Sequence, residues 1–327
     1  MQLFRNYSPF TVILLIIATF LMKLQALSHP VAPIALPDHL LFASLLSFLD
    51  TFVRGGAFAY TLLTVLILFT QSLFFNHITV RHKLFNTNTY LPAFAYILLT
   101  SLHPAFNYFS EPLLINWLVL IALNIMLSFS HTAQPRKQIF NAAFVICLPA
   151  LFQFPALGFF FLFLFAMILL RPFSIGEWVV GFMGYFTPIY FFVAVLFLVD
   201  KLSILTRLPQ LRLSIPKHIG NPVYLVGVIA GLLFLIVAGS FALQQQISRL
   251  TIYIRRSWGL IYIYLFVSLG LPFIAVSSVH AEWSLALPAL SFIVAHSFYL
   301  EKTKRFSNFA FLFSLALLIF CQLTLYK

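Results

Sequence analysis

The chain has 327 residues, 62% of them hydrophobic and 8% charged, with a net charge of +12 and a mean hydropathy of +1.03. A soluble domain carries about a quarter of its residues as charged groups, so this composition excludes a water-facing surface and places the chain in lipid. The cations sit in short segments between apolar runs, which reads as loop charge at lipid head groups and excludes nucleic acid as a partner.

The first element is an apolar run from Pro9 to about Leu27, behind Arg5. A bilayer crossing takes about 20 residues, and no small-x-small cleavage site follows, so an uncleaved first span is expected. Lys23 falls near its far end, where a lysine can stretch its charge to the interface. Further spans are expected near 56–75, 89–102, 113–130, 139–152, 156–170, 179–199, 223–243, 259–279, 284–300 and 309–326, about eleven in all. Those at 89–102, 139–152 and 156–170 are short. The stretch LPALFQFPALG (148–158) holds two prolines, and a residue before proline is pushed out of the helical region. We expect a tight hairpin there, with Gln153 at its tip satisfying backbone freed by proline; one kinked helix over 139–170 is the alternative. The expected fold class is all-α, a polytopic membrane protein forming one transmembrane domain over 1–327.

Lys and Arg fix the expected orientation. With the N-terminus cytoplasmic, and Lys23 set aside, twelve fall inside and six outside. The expected location is the inner membrane of a bacterium. One loop departs from the rule: residues 200–222 place Lys201, Arg207, Arg212 and Lys217 outside. The acids Asp38, Asp50, Glu111, Asp200 and Glu282 also fall outside, which points to chemistry on that face.

The first outer loop, 29–55, opens with HPVAPIALP and continues as DHLLFASLLSFLDTF, which reads as a helix too short to cross and lying at the interface. Asp38 either caps that helix or acts as a base, its carboxyl raised beside a low-dielectric region so that it can take a proton from an acceptor. His39 would assist or orient it. Arg54 closes the helix. In the next outer turn, HPAFNYFSEP, His103, Asn107, Tyr108 and Glu111 form either a solvated turn or a sugar-contacting patch. Lys201, Arg207 and Arg212 either attract anionic lipid or grip a lipid-linked phosphate. Asn116 and Asn124 are expected to bond neighbouring helices, and His296 to be a satisfied interior histidine. Cys147 and Cys321 read as buried thiols. No cofactor is expected, and a divalent metal has no support in the sequence.

The segment PDHLLFASL after the first span resembles the GT-C class of membrane glycosyltransferases, which take sugars from polyprenyl-phosphate carriers at the outer face. The paired spans in YLPAFAYILLTSLHPAFNYFSEPLLINWLVLIALNIMLSF (90–129) and the short spans in RKQIFNAAFVICLPALFQFPALGFFFLFLFAMILLRP (136–172) are similar to that class too. The resemblance covers about residues 1–200, leaving 201–327 as additional helices. It implies Asp38 as the catalytic acid-base residue, with His39 where the class often has Glu, and a polyprenyl-phosphate sugar as donor. The whole chain also resembles a family of multi-pass membrane proteins from Bacteroidetes. Some of these carry a carotene-cleavage label, but the His-rich motif PHGxxDH of membrane carotene oxygenases is missing from this sequence. The alternative functions are a non-catalytic subunit scaffolding a cell-envelope complex, with envelope proteins as partners, and a lipid or solute transporter.

Overall fold

The computed structural model describes residues 2–33, 40–53, 55–131, 134–202, 221–274, 280–299 and 304–325. Among these the structure is helical, with no strand. The helices are α1 (Gln2–Arg5), α2 (Pro9–Met22), α3 (Leu24–Ser28), α4 (Leu40–Val53), α5 (Ala57–Arg81), α6 (Leu91–Thr100), α7 (Glu111–Leu127) and α8 (Pro135–Phe152). They continue with α9 (Phe159–Leu170), α10 (Ile175–Leu198), α11 (Pro222–Ile247), α12 (Ile252–Ile274), α13 (Leu287–Tyr299) and α14 (Lys304–Leu325). Among the described residues, six segments are long and apolar enough to cross a membrane: Ala57–Arg81, Glu111–His131, Ile175–Leu198, Pro222–Ile247, Ile252–Ile274 and Arg305–Leu325. The protein is a multi-pass membrane protein.

Proline sets several helix starts. Pro9, Pro92, Pro112, Pro135 and Pro222 each sit in the first turn of their helix, where the missing N–H costs nothing. The region 139–170 forms two helices, α8 and α9, joined by a short 3-10 turn, Phe154–Gly158. Pro149 stays inside α8, and the chain leaves that helix at Gln153, in extended conformation.

Two short helices form the centre. Every residue of α6 and every residue of α13 is buried, and the two pack against each other. The long helices surround them. Polar side chains that face inward find partners within the bundle, as the absence of water demands. Gln71 on α5 donates to Leu113 O on α7 (2.7 Å) and accepts from the Tyr96 hydroxyl on α6 (2.8 Å). Thr61 and Thr64 return their hydroxyls to carbonyls one turn earlier.

Contacts at the helix ends define two poles. At the lower pole Arg5 donates to Tyr299 O (3.0 Å), His82 bonds Asn124 (3.0 Å) and Tyr253 (3.2 Å), and the Tyr253 hydroxyl donates to Leu127 O. Arg171 pairs with Glu177 through two hydrogen bonds and also donates to Phe129 O (3.2 Å). At the upper pole Tyr224 donates to Leu102 O (3.0 Å), Asn116 to Ser284 O (3.0 Å) and Gln322 to Met22 O (3.1 Å). The amphipathic α4 lies at this pole, with Phe42 and Leu46 buried and Phe48 and Phe52 exposed. Phe42 stacks on Phe109, and Asp50 accepts the Tyr60 hydroxyl (2.5 Å).

Helix α11 approaches its neighbours through glycine. A Cβ on Gly227 would collide with Phe320, one on Gly231 with Leu317, and one on Gly239 with the carbonyl of Ile293. Small residues at four-residue spacing let helix backbones close in where no hydrophobic effect drives them together. This seam turns the glycine face of α11 toward α13 and α14. Its Leu, Val and Ile ridge is left for another use.

Candidate functional site

The apolar ridge of α11 walls a cavity of about 580 Å³. Leu225, Val228, Ile229, Leu232, Leu233 and Ile236 line it from α11, at the helical spacing that keeps one face in line. Leu269 of α12, Leu287 and Leu290 of α13 and Leu325 of α14 complete the walls. Leu225, Ile229 and Leu233 are also exposed on the flank of the bundle, so the cavity opens sideways. From Leu225 to Ile236 the helix rises roughly 17 Å at 1.5 Å per residue, close to half of a hydrocarbon core of about 30 Å.

The upper mouth is polar and aromatic. His103, Phe106, Asn221, Tyr224, His280 and Trp283 surround it. The His103 and His280 rings lie 5.5 Å apart, edge to face, and His103 lies 5.8 Å from the Tyr224 ring. His103 caps the 3-10 turn Pro104–Asn107, its Nδ1 accepting from the Ala105 N–H at 3.1 Å. A nitrogen that accepts carries no proton, so the neutral ring bears its hydrogen on Nε2. Burial, and secondarily the charge of nearby His280, pushes the His103 pKa down to about 4. The ring is neutral at physiological pH.

Asn221 caps α11 by accepting from Tyr224 N (3.3 Å), and its amide donates to Thr324 O (3.3 Å). Both ends of that side chain are therefore engaged in holding α11 to α14. His280 and Trp283 come from a 3-10 segment, His280–Ala286. The same segment presents Glu282 away from the mouth, where the Glu282 carboxylate accepts from Gln153 Nε2 at 2.8 Å. The segment thus separates an apolar cavity from a buried polar knot.

The residues expected from sequence to act together are only partly brought together. His103 is at the mouth. Glu111 is buried in the first turn of α7, and Tyr108 ends the 3-10 turn before it. Lys201 is exposed beyond α10 and does not line the cavity. Asp38, His39, Arg54, Arg207, Arg212 and Lys217 lie outside the described residues.

Three expectations are corrected. Lys23 does not stretch to the interface: it is fully buried, and its ammonium donates to Asn107 Oδ1 (2.6 Å) and Thr100 Oγ1 (2.9 Å). The turn HPAFNYFSEP is not an open solvated turn: Ala105, Asn107, Phe109 and Glu111 are buried, Phe109 against Phe42 of α4 and Asn107 against Lys23. Gln153 serves a carboxylate and not freed backbone, its amide reaching Glu282 across the bundle. Asn116 and Asn124 do bond neighbouring segments, through Ser284 O and His82. His296 is interior as expected, stacked on Trp258 with ring centroids 5.3 Å apart, but it is not satisfied: its buried Nδ1 finds no hydrogen-bond partner among the described residues. Cys147 and Cys321 are free, buried thiols. Among the described residues no group of three or more His, Cys, Asp or Glu is placed to hold a metal ion.

Sequence reasoning missed Asn221, Tyr224, His280 and Trp283 as a group. The one available signal was the Asn-Pro helix start at 221–222, followed by an aliphatic ridge on the face beside Gly227 and Gly231. No protein-family model, curated protein or solved structure matches the chain.

Proposed function

We propose that this is a membrane glycosyltransferase of GT-C-like arrangement, with about eleven crossings and a cytoplasmic N-terminus in a bacterial inner membrane. It acts at the outer face, taken as the upper pole, on a polyprenyl-phosphate-linked sugar. The observation that carries this reading is the sideways-open aliphatic cavity with a polar mouth. Pockets that hold one ligand run from about 300 to 1,000 Å³, with apolar walls and a few polar groups at one end, and a lipid-linked substrate has that division of character.

In this reading the chemistry belongs to the first outer loop. Asp38 takes the proton from the acceptor hydroxyl as its oxygen bonds to the anomeric carbon, and the polyprenyl phosphate leaves with the electrons of the broken C–O bond. His39 orients Asp38. Arg54, Lys201, Arg207 and Arg212 balance the charge of the leaving phosphate. The buried turn with His103, Tyr108 and Glu111 forms the floor beneath the sugar. Below its mouth the cavity is lined by aliphatic side chains, which suits a lipid tail better than the polar path of a solute transporter.

The test is an envelope glycan profile from the wild type, a deletion strain, and strains carrying Asp38→Asn or Leu232→Trp at matched protein level. Loss of one glycan in all three altered strains is the expected result. A glycan lost on deletion but restored by Asp38→Asn would make the chain a non-catalytic scaffold of an envelope complex.

A further inference from the structure

Below its mouth the α11 cavity is aliphatic, whereas the mouth itself is built of hydrogen-bond donors. We infer that this mouth is the seat of a lipid phosphate, held by N–H groups of His103, Asn221, His280 and Trp283, and that it grips a terminal phosphate more tightly than one still esterified to a second group. This rests on the lipid-linked phosphate of the proposed function. It adds where that phosphate sits, which residues touch it and what they do as the sugar departs.

The first support is the balance of donors and acceptors. His103 accepts from the Ala105 N–H through Nδ1, so its own hydrogen stays on Nε2. Among the described residues nothing takes up that hydrogen, the indole N–H of Trp283 or the ring N–H of His280. Asn221 spends its oxygen on Tyr224 N and one amide hydrogen on Thr324 O, and keeps the second amide hydrogen. Each of these four side chains therefore offers a donor. The acceptors beside them are fewer: a lone pair on the Tyr224 hydroxyl, whose hydrogen goes to Leu102 O, and one ring nitrogen of His280. A terminal phosphate has three acceptor oxygens and, when ionised, little or no hydrogen to give. Bonds from N–H groups to such an oxyanion are roughly twice as strong as bonds between neutral groups.

The second support is how the fold arranges charge. His280–Ala286 is a 3-10 helix, in which residues three apart eclipse one another. His280, Trp283 and Ala286 accordingly all line the cavity. Glu282, the one acid of that segment, is turned away and held by Gln153 at 2.8 Å. Two donors thus face the mouth while the carboxylate is taken out of it, and no Asp or Glu lines the cavity among the described residues. Phe273 braces Trp283 edge-on, with ring centroids 5.3 Å apart. Helix α11 also begins here, and its positive end favours an anion. Full positive charge is tethered close by: Lys217 precedes Asn221 by four residues, a reach of roughly 14 Å at full extension.

The cavity opens sideways past the exposed Leu225, Ile229 and Leu233. A chain longer than its aliphatic wall, as a polyprenyl chain is, can run out into lipid while its phosphate stays at the mouth.

The chemistry follows. As the sugar leaves, the bond between the anomeric carbon and the phosphate oxygen breaks, and its electron pair remains on that oxygen. The phosphate gains a third terminal oxygen and its charge moves from one toward two. Free donors at the mouth bond the new oxygen. An interaction that strengthens along the reaction lowers its barrier, so these residues act on the leaving group while Asp38 acts on the acceptor.

The experiment uses the purified full-length chain in detergent at pH 7.5, read by thermal shift and competition. The probes are hexadecyl phosphate, its methyl diester, 1-hexadecanol and inorganic phosphate. Hexadecyl phosphate is expected to bind at least about tenfold more tightly than hexadecanol and measurably more tightly than the methyl diester. Inorganic phosphate at the same concentration is expected to give no shift. Trp283→Phe keeps the ring and removes the donor; it and His280→Ala are each expected to weaken hexadecyl phosphate about tenfold and leave hexadecanol unchanged. His280→Asn, which restores an N–H, is expected to recover part of the loss. Leu232→Trp, which fills the groove, is expected to abolish lipid binding, and Ile229→Trp gives the same answer should that variant fold poorly. Equal or tighter binding of hexadecanol or of the methyl diester overturns the inference. So does a phosphate preference that survives both Trp283→Phe and His280→Ala, or a shift with inorganic phosphate equal to that with the lipid. Binding as expected with a glycan profile indifferent to Asp38→Asn keeps the phosphate seat and removes the transfer reading. No phosphate preference, with a glycan lost in Asp38→Asn, does the reverse.

Discussion

The Lys23 ammonium donates to Asn107 Oδ1 at 2.6 Å from a position with no exposed surface, and Thr100 takes a second of its protons at 2.9 Å. This bond ties the end of the first long apolar segment to the turn that carries His103. It holds the upper mouth in shape from a residue 84 positions away. Its partners are neutral, so its strength depends on hydrogen-bond geometry and on keeping both acceptors in place.

That arrangement predicts an order of severity. Asn107→Leu leaves the buried Lys23 amine with Thr100 as its remaining side-chain acceptor, which costs about 3 kcal/mol, the upper end for a buried group left short of a partner. Lys23→Met removes the charge and leaves two weaker groups unpaired, at about 1–3 kcal/mol. The double variant is expected to be more stable than Asn107→Leu alone. Denaturant unfolding in micelles measures all three; strict additivity of the two single changes would refute the coupling.

Glycines offer a matched pair. Gly239→Ala puts a methyl into the carbonyl of Ile293, a backbone atom that cannot step aside. It is expected to destabilise the protein by about 1–3 kcal/mol, the usual cost of overpacking. Gly270 in α12 has nothing within 4 Å of its would-be Cβ, and Gly270→Ala is expected to be neutral or to gain up to about 1 kcal/mol of helix propensity. Comparing the folded fraction of each on size-exclusion after heating decides it.

The pH dependence follows from His103. Its pKa is near 6.5 in the unfolded chain and about 4 in the fold. Between those values the unfolded state holds the extra proton, so stability rises with pH across that window. The contribution is fully present above pH 6.5 and fades as pH falls toward 4. A melting-temperature series from pH 7.5 to 4.5 is expected to slope downward at the acid end, and His103→Gln to flatten it.

Cys147 and Cys321 have no exposed surface. A membrane-permeant maleimide is expected to leave both unmodified in the folded protein and to label both after denaturation. Labelling of Cys321 without unfolding would show that α14 detaches from the bundle.

Helix positions were legible in the sequence because each apolar window is a local property, and Pro and Gly punctuate their ends. Every window from 9–28 to 309–326 contains a helix, although among the described residues six segments are long and apolar enough to cross. What the sequence concealed is which polar side chains meet. Lys23 finds Thr100 and Asn107, Gln153 finds Glu282, and Tyr224 finds the carbonyl of Leu102, across separations of 77 to 129 residues. Nothing near Lys23 in sequence distinguishes a lysine that reaches the interface from one that is swallowed by the fold. The mouth was hidden for the same reason, its residues coming from three distant stretches. The reading of the first outer loop was local, and its central residues Asp38 and His39 lie outside the described residues.

The wholly buried pair α6 and α13 also bears on how the chain enters a membrane. Ten residues of α6 reach about 15 Å, half the thickness of a hydrocarbon core, and every one of them ends surrounded by protein. Such a segment gains too little from lipid to partition there alone. Its entry must be cooperative, carried by the longer α5 before it and α7 after it, and its final seat exists only once α13 arrives nearly 200 residues later in synthesis. Biogenesis then has an order: an early frame is laid down with its centre incomplete, and the last third of the polypeptide closes it.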